Sequence, residues 1–582
     1  MANTIKINMT IQFNVSFPDP HTHYTYVKMI IDKIDQNSIK VGMPVWTPGS
    51  YLLREYAQHV DQFEALDENN GVLKFDKVKK NIWEINTVGK TKAIINYRFY
   101  AFEATVRTNF VDVEHAALNG AATFLYLEEH LDLPITVKVE PYKEWKKIAT
   151  SLKQIEGDEW SRYAENYDEL VDSPIEVGNF ESFDFEAGGI PHQVAIFGTN
   201  NGNNQTFVKD LEKVCNVATD IMGHHPCKDF LFIIHNTESR YNGLEHSNST
   251  VCQVPRWDYF PYDKYCRTMG LMSHEYFHLW NVKRIRPEVL GPFDYNNENY
   301  TKQLWVVEGV TSYYDDYILF KSEIFSKKQY LETLAKGLNS VVNNAGDDVQ
   351  SLTEASYDAW IKYYRQNENS INNLVSYYVK GAMASLVLNF IIMHETDGKR
   401  SLTDVMRKLF SDYESNPNKG FSESDFLDTI NAFAGIKLDE FFQKHIYGKE
   451  PIDYEKYFGY VGLALKDKDK DSDKTELGIL ANWEEEKLII KKLDKNYGGY
   501  LGGLNVNDEI VAIDDYRVFK DYEKILEQKK AGSFIKVLVS RGGLIKTFDV
   551  PITQSRKINY EIIERERPGE KAEKLRDIWL GK

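Results

Sequence analysis

Two histidines and a glutamate at fixed spacing are the residues of this sequence that most directly suggest chemistry. They lie in Ser273-His274-Glu275-Tyr276-Phe277-His278, a His-Glu-x-x-His pattern. Residues i and i+4 share one face of an α-helix, so His274 and His278 can direct both imidazoles at one point. A catalytic zinc site needs nitrogen ligands, an open position for water and a carboxylate that accepts the water's proton. We therefore expect His274 and His278 to bind zinc and Glu275 to be the general base. The alternative is a chance match, which is rare in a chain with 14 histidines among 582 residues.

A third protein ligand is expected if the fourth position of a tetrahedral zinc is to hold water. The candidate is Glu308, in the apolar helical run Leu304-Trp-Val-Val-Glu308-Gly-Val. A lone carboxylate in such a run is costly unless a charge compensates it, and a divalent metal would do so. The alternative is a half-exposed helix glutamate paired with a lysine. Gly309 beside it permits close approach of another backbone.

Two tyrosines and one further glutamate are candidates for handling the substrate. A tetrahedral oxyanion needs a donor besides the metal, and Tyr377 and Tyr378 on a later predicted helix can supply one. The alternative for both is simple packing, since the chain has 36 tyrosines. Glu245 is a candidate anchor for the ammonium of a free N-terminus, which an aminopeptidase needs and an endopeptidase does not. It is expected on a loop that enters an edge strand able to pair with the substrate backbone; the alternative is a surface glutamate.

The stretch Pro44-Val-Trp46-Thr-Pro48-Gly-Ser-Tyr51-Leu-Leu-Arg54 predicts a rigid loop, because its prolines and glycine restrict the backbone. We expect its exposed Arg54 and neighbouring side chains to form a wall of a binding cleft. A loop that only packs two domains together is the equal alternative.

Composition limits the class of protein. A length of 582 residues predicts several domains, and a net charge of −17 makes nucleic acid an unlikely partner. The four cysteines form no CxxC pair, so a cysteine zinc site is not expected. The N-terminus lacks the features of a signal peptide and no 18-residue apolar stretch occurs, which predicts a cytoplasmic protein without a transmembrane segment. A periplasmic or secreted protein whose signal peptide had been removed would look the same.

Periodicity predicts a multidomain α+β chain. Residues 1–172 show period-two alternation, as at residues 5–15, 92–100 and 135–139, and are expected to form a β-sandwich or saddle-like sheet. Residues 173–455 begin with a strand, an amphipathic helix at residues 204–222 and a second strand, and then become mostly helical. Among the later helices we expect one near residues 372–395 and one near residues 424–433 with Ser422 as its N-cap. Residues 456–560 return to β-alternation, and residues 561–582 are expected to form a charged helical tail.

Three stretches carry a resemblance to a known family: His274-Glu-Tyr-Phe-His-Leu-Trp-Asn-Val-Lys-Arg, Trp305-Val-Val-Glu-Gly-Val-Thr-Ser-Tyr-Tyr and Ser376-Tyr-Tyr-Val-Lys-Gly. They resemble the glycyl aminopeptidases, gluzincin metallopeptidases related to the aminopeptidase N family. Trp46-Thr-Pro-Gly-Ser-Tyr extends the resemblance into the N-terminal region. The resemblance implies an N-terminal β-domain, a thermolysin-like catalytic domain and a C-terminal PDZ domain. In the last, Leu477, Gly478 and Ile479 resemble a carboxylate-binding loop for C-terminal peptides.

The resemblance also implies roles for single residues. His274, His278 and Glu308 would hold one zinc ion per chain, with Glu275 as the base, and Tyr378 matches the family tyrosine through Tyr-x-Lys-Gly. Gly243-Leu-Glu245-His246 is similar to the Gly-x-Met-Glu-Asn segment that grips the substrate amine, but departs from it at Leu244 and His246. The expected function is a zinc aminopeptidase that removes small N-terminal residues from peptides. The alternatives are a zinc endopeptidase with the same site and a non-catalytic PDZ-type peptide-binding protein.

Overall fold

The N-terminal strands follow the alternation of apolar and polar residues. In the computed structural model, which describes residues 9–520 and 522–581, every second side chain of β1 (Thr10–Ser16) is buried. This pattern arises because successive side chains of a strand point to opposite faces of its sheet. The predicted alternation from residue 5 to residue 8 lies outside the described residues. Predicted strands at residues 92–100 and 135–139 are confirmed as Lys92–Tyr100 and Ile135–Glu140.

The described chain divides into two units. The first consists of the residues up to Tyr300 with Ile318–Ile324 and Phe410–Gly420, and the second consists of Thr301–Tyr317, Phe325–Leu409 and the chain from Phe421 onwards. The multidomain α+β class predicted from the sequence is confirmed, with a β-rich N-terminal region and a mostly helical region. The predicted domain bounds stay predictions. No helix among the described residues combines the length and the apolar composition needed to cross a bilayer.

Twenty strands lie in the described part of the first unit. They are β1 (Thr10–Ser16), β2 (Tyr24–Asp32), β3 (Ser38–Gly42), β4 (Val60–Leu66), β5 (Phe75–Lys79), β6 (Ile82–Asn86), β7 (Lys92–Tyr100), β8 (Phe110–Val111), β9 (His115–Leu118), β10 (Tyr126–Leu127), β11 (Ile135–Glu140), β12 (Lys147–Ala149), β13 (Lys153–Gln154), β14 (Ser161–Ala164), β15 (Ile175–Gly178), β16 (Glu181–Ala187), β17 (Ile190–Phe197), β18 (Phe230–Thr237), β19 (Asn242–Glu245) and β20 (Ser249–Pro255). They form sheets ordered β13-β14-β11-β1-β2-β7-β4, β10-β3-β6-β5, β12-β15-β9-β8 and β16-β17-β18-β20-β19.

The five-stranded sheet corrects one expectation about the edge. The sequence predicted that an edge strand follows Glu245, but the strand that follows, β20, is interior because it pairs with both β18 and β19. The edge strand is β19, and Glu245 is its last residue. Order within a sheet depends on pairings between distant segments, which local alternation does not encode.

Four α-helices lie entirely within the described part of this unit: α1 (Gly120–Thr123), α2 (Tyr167–Val171), α3 (Asn204–Met222) and α4 (Tyr262–Phe277). The prediction of a helix from residue 204 to residue 222 is confirmed. The side chain of Asn203 accepts a hydrogen bond from the Thr206 amide and caps α3. Helix α4 carries the His-Glu-x-x-His pattern in its last turn, with His278 directly after its final residue.

The chain beyond Thr301 is mostly helical up to residue 459. Its helices are α5 (Thr311–Lys321), α6 (Lys327–Val342), α7 (Leu352–Tyr357), α8 (Ser370–Asn373), α9 (Val379–Glu395), α10 (Leu402–Ser415), α11 (Glu423–Ala434), α12 (Asp439–Phe441) and α13 (Tyr454–Gly459), and α5 and α10 end in segments counted with the first unit. The helix expected at residues 372–395 is interrupted, because Leu374 is extended and separates α8 from α9. Trp305–Val310 and Phe442–Ile446 are π-helical. Ser422 is the predicted N-cap of α11.

The last part of the second unit is rich in strands. They are β21 (Leu463–Asp467), β22 (Thr475–Glu476), β23 (Ile479–Glu484), β24 (Lys487–Leu493), β25 (Glu509–Ile513), β26 (Tyr516–Arg517), β27 (Phe534–Arg541), β28 (Leu544–Pro551), β29 (Thr553–Gln554) and β30 (Tyr560–Glu564), with helices α14 (Gly498–Leu501), α15 (Glu523–Glu527) and α16 (Glu570–Leu580). The main sheet has the order β23-β24-β25-β27-β28, and β26 pairs with β25. The predicted C-terminal helix is present as α16, but residues 561–564 belong to β30 rather than to a helical tail.

Candidate active site

The two histidines of the motif point their rings at each other at the end of α4. Their Nε2 atoms are 3.0 Å apart, as expected for two imidazoles that share one ligand position. His278 Nδ1 lies 2.7 Å from the carbonyl oxygen of Asn281. Because a carbonyl can only accept, Nδ1 carries the proton and Nε2 of His278 keeps its lone pair for the shared position.

Glu275 lies beneath the edge strand β19 and close to a second buried carboxylate. Ligand-type atoms of Glu245, Glu275 and His278 all lie within 4.8 Å of one another, and all three residues are buried. A Cβ atom on Gly243 would overlap the carboxylate of Glu275. Gly243, predicted as a substrate-binding residue, therefore also provides the space in which Glu275 lies.

A chain of hydrogen bonds through Tyr276 fixes the middle of the motif. The Cys227 amide donates to Nδ1 of His225 at 3.0 Å, so Nε2 of His225 carries a proton and donates to the Tyr276 oxygen at 2.9 Å. Tyr276 in turn donates to Nε2 of His192 at 2.8 Å, and His192 Nδ1 donates to the carbonyl of Ile190. Burial lowers the pKa of each of these histidines to about 4, which favours the neutral rings that this chain needs.

Asp172 joins the end of the edge strand to the segment after the motif. Its Oδ1 accepts from Lys283 at 2.8 Å and from Nδ1 of His246 at 3.1 Å, and Oδ2 accepts from the Ser247 amide at 2.9 Å. Burial would raise the pKa of Asp172, but Lys283 and His246 outweigh it and hold the pKa well below the usual range. Asp172 thus binds the two residues that directly follow Glu245.

Sequence reasoning did not find this cluster, the histidines around Tyr276, or Arg107. The last donates to the carbonyl of Gly243 at 3.1 Å and holds β19 in place. These contacts join residues far apart in the chain, so no local spacing marks them. The nearest signal was Lys283 itself, which follows the motif within the stretch that carried the family resemblance.

A cleft of about 1160 Å³ opens beside Glu245 within the first unit. Its wall includes Trp46, Pro48, Gly49 and Tyr51 from the predicted rigid loop. A Cβ atom on Gly49, whose φ is +84°, would lie 2.5 Å from Glu245 Oε1. The loop thus contacts the candidate amine anchor directly.

Arg54 differs from the sequence expectation of an exposed side chain. It is half-buried, and its guanidinium donates to Ser50 Oγ at 3.3 Å. The described residues that line the cleft include its loop neighbours but not Arg54 itself. Its hydrogen bond to Ser50 joins two residues of the loop itself.

Glu308 lies in the π-helix of the second unit and is 3% exposed. Burial raises the pKa of Tyr363, Tyr377 and Tyr378, and the charge of Glu308 raises each of these pKa values further. π-Helical turns are frequent at functional sites.

The close backbone approach expected at Gly309 is present. A Cβ atom there would lie 2.5 Å from the Cα of Gly381, at the crossing between the π-helix and α9. This crossing brings the start of α9, which directly follows Tyr378, to the π-helix that carries Glu308.

The two predicted tyrosines differ in access. Tyr377 is fully buried and packs against Tyr363 with ring centroids 4.7 Å apart. Tyr378 is half-buried, and its hydroxyl lies 3.2 Å from that of Tyr364. Burial, reinforced by the charge of Glu308, holds the pKa of Tyr378 well above its usual value, so its hydroxyl remains a donor.

Two regions of the chain match models of one peptidase family. Residues 12–179 match the peptidase M61 N-terminal domain, and residues 267–384, which contain the motif, Glu308 and Tyr378, match the M61 glycyl aminopeptidase domain. Both matches are to domains of the M61 glycyl aminopeptidase family. The resemblance predicted from the sequence is confirmed, and with it the class of this protein, a zinc metallopeptidase.

The solved structures that resemble this protein include one of similar length. An aminopeptidase N family protein from Idiomarina loihiensis shares 28% identity and superposes with a TM-score of 0.91, covering 98% of this chain and 100% of its own. An M1 zinc metallopeptidase from Deinococcus radiodurans is far more distant, with 12% identity and a TM-score of 0.45 over 74% of this chain and 92% of its own. No curated protein matches the chain.

Proposed function

We propose that this chain is an aminopeptidase in which His274, His278 and Glu308 hold one zinc ion. The donor set fits the metal, because two neutral imidazoles present Nε2 lone pairs 3.0 Å apart and a carboxylate is the usual third ligand of such sites. A zinc ion held there supplies Lewis-acid polarisation of a carbonyl oxygen.

Glu275 is the proposed general base. Its buried carboxylate near His278 can remove a proton from the attacking water and return it to the leaving amine. The carboxylate occupies the space that a side chain at position 243 would fill, so it lies directly against the edge strand. The mechanism thus depends on the backbone of β19 as well as on the motif.

Tyr378 is the proposed donor to the oxyanion. Its high pKa keeps the hydroxyl protonated, so it can donate as negative charge develops on the substrate oxygen. We assign Tyr377 to packing around Tyr378, because its side chain is fully buried.

The position of Glu245 is the observation that favours an aminopeptidase over an endopeptidase. It is a buried carboxylate at the end of an edge strand, close to Glu275 and bordering the cleft. A carboxylate in that place can bind the α-ammonium of a substrate whose scissile bond lies next to Glu275. The close contact of Gly49 with Glu245 leaves little room around the first residue, which supports the preference for glycine or alanine.

Free and N-acetylated peptides of the same sequence test this proposal. We expect hydrolysis of the free peptide, loss of hydrolysis with chelator, and no cleavage of the acetylated peptide. The E245Q variant should lose about 100-fold in kcat/KM on free peptides, since losing a charged partner costs roughly 2–3 kcal/mol. Equal cleavage of the acetylated peptide would favour the endopeptidase, and absence of bound metal in untagged protein would favour the non-catalytic alternative.

A C-terminal peptide ligand is proposed for the strand-rich end of the second unit. β23 is an edge strand there; Leu477 and Gly478 directly precede it, and Ile479 is its first residue. Extended peptides can add to such an edge by β-augmentation, as in PDZ domains. Binding of a labelled peptide with a free carboxylate, compared with its amide, tests this assignment.

A further inference from the structure

Two histidines and a glutamate outside the catalytic site meet in the interior of the first unit. His115 comes from β9, Glu176 from β15 and His235 from β18. His115 Nδ1 lies 2.7 Å from Glu176 Oε1, and His235 Nε2 lies 2.9 Å from Glu176 Oε2. The ligand-type atoms of all three residues lie within 4.8 Å of one another, and each residue is buried.

The strand register explains how these residues meet. β9 pairs with β15 so that His115 is opposite Gly178 and Ala117 is opposite Glu176. His115 and Glu176 are therefore diagonal neighbours on one face of their sheet. His235 comes from the five-stranded sheet, so the cluster joins two sheets through side chains alone.

The cluster is bordered by an apolar wall and by a small cavity. The ring of Phe197 stacks on His115 with centroids 3.6 Å apart and planes at 16°. A cavity of about 20 Å³ borders Glu176, His235, Thr108 and Asn119. This volume is enough for a single water molecule, and the polar lining supplies partners for it.

We propose that the His115–Glu176–His235 cluster is a second, structural site for a divalent metal ion, filled by zinc. Two imidazole nitrogens and a carboxylate oxygen are a donor set that zinc accepts, and the neighbouring cavity provides the position of a water as fourth ligand. The ligand atoms are already within about 3 Å of their neighbours, which is the separation that a shared metal imposes on its ligands. The apolar wall strengthens the hold on the ion by excluding bulk water.

The role that follows is mechanical. A metal held by β9, β15 and β18 would crosslink the sheet β12-β15-β9-β8 to the five-stranded sheet whose edge strand ends in Glu245. None of the three residues is placed in the catalytic machinery. Removing the ion is therefore expected to lower thermal stability and to leave the chemistry of the catalytic site intact. The alternative is a metal-free bridge in which both imidazoles donate N–H bonds to Glu176.

Metal counting on the full chain separates these states. Protein purified without a histidine tag is loaded with zinc, dialysed and analysed by elemental mass spectrometry. We expect two zinc ions per chain in the unmodified protein and one in H274N/H278N, which lacks the proposed catalytic ligands. Adding H235Q to that variant should leave none, whereas adding H394Q, at a histidine that stacks on Tyr460, should leave one.

Thermal unfolding provides a second measurement. Chelator should lower the Tm of H274N/H278N by several degrees and should not change that of H274N/H278N/H235Q. If the H235Q variants do not fold, H274N/H278N alone decides. Absence of zinc in it, with a Tm indifferent to chelator, would overturn the proposal in favour of the hydrogen-bonded bridge. A protein with two zinc ions and no peptidase activity would instead contradict the proposed function and leave this site standing.

Discussion

A methyl group added at Gly243 should impair catalysis by displacing Glu275. The Cβ of G243A would overlap the Glu275 carboxylate, so one of the two must move. The strand is held, because Gly243 pairs with Cys252 in β20 and its carbonyl accepts from Arg107 at 3.1 Å. The glutamate side chain is the freer partner. A displacement of about 1 Å of a catalytic group costs on the order of 100-fold in rate, which corresponds to roughly 2.7 kcal/mol.

The assay is kcat/KM on an aminoacyl-anilide with zinc content measured on the same sample. G243A should bind as much zinc as the unmodified protein, because His274 and His278 are not touched, and should lose activity through kcat. G270A is the matched control: it adds the same methyl on α4, where the nearest atom would be 3.8 Å away. It should keep full activity. A G243A enzyme as active as G270A would refute the assignment of the base to this position.

Four further outcomes are expected. E275Q should keep its zinc and lose about 100- to 10,000-fold in hydrolysis, as measured by metal content and kcat, because an amide cannot accept the proton. Y378F should lower kcat by about 100-fold with little change in KM, whereas Y377F should remain near full activity. G309A should lower the free energy of unfolding by about 1–3 kcal/mol in denaturant titration, since its methyl meets the backbone of α9. The two histidines bonded to Tyr276 have pKa values lowered to about 4 in the folded protein, so the unfolded chain binds more protons below about pH 6.5. Denaturant titrations should therefore show full stability at pH 7. Between pH 6.5 and pH 4 the free energy of unfolding should fall by up to about 1.4 kcal/mol per histidine and pH unit.

The sequence predicted best those features that local periodicity and spacing encode. Helix α3 was predicted to the residue because its apolar positions recur with helical spacing and Asn203 caps it. The place of His274, Glu275 and His278 followed from the four-residue spacing alone. The close approach at Gly309 was predicted because glycine lacks a Cβ atom, so another backbone can come near it inside a helix.

What the sequence could not predict depends on pairings between distant segments. The position of Glu245 on the edge strand, rather than before it, follows from the order of β18, β20 and β19. Asp172 gives no local signal, yet it holds both His246 and Lys283. The break between α8 and α9 follows from an extended Leu374, although no proline or glycine occurs between residues 370 and 380. In each case tertiary contacts decide among several local conformations that the sequence permits.

The buried carboxylates of Glu245 and Glu275 each lie against a glycine, and the same packing arrangement explains both glycines. Glu245 lies against Gly49, and Glu275 lies against Gly243. In both cases a buried carboxylate occupies the volume that a Cβ atom would fill, so the backbone itself forms one wall of its pocket. A side chain at either glycine would displace the carboxylate, so each glycine is needed for the position that the carboxylate has before the substrate binds. Gly49 and Gly243 should therefore be as important for function as the acidic residues they contact. An alanine at position 49 should weaken binding of the substrate amine, and an alanine at position 243 should slow the chemical step.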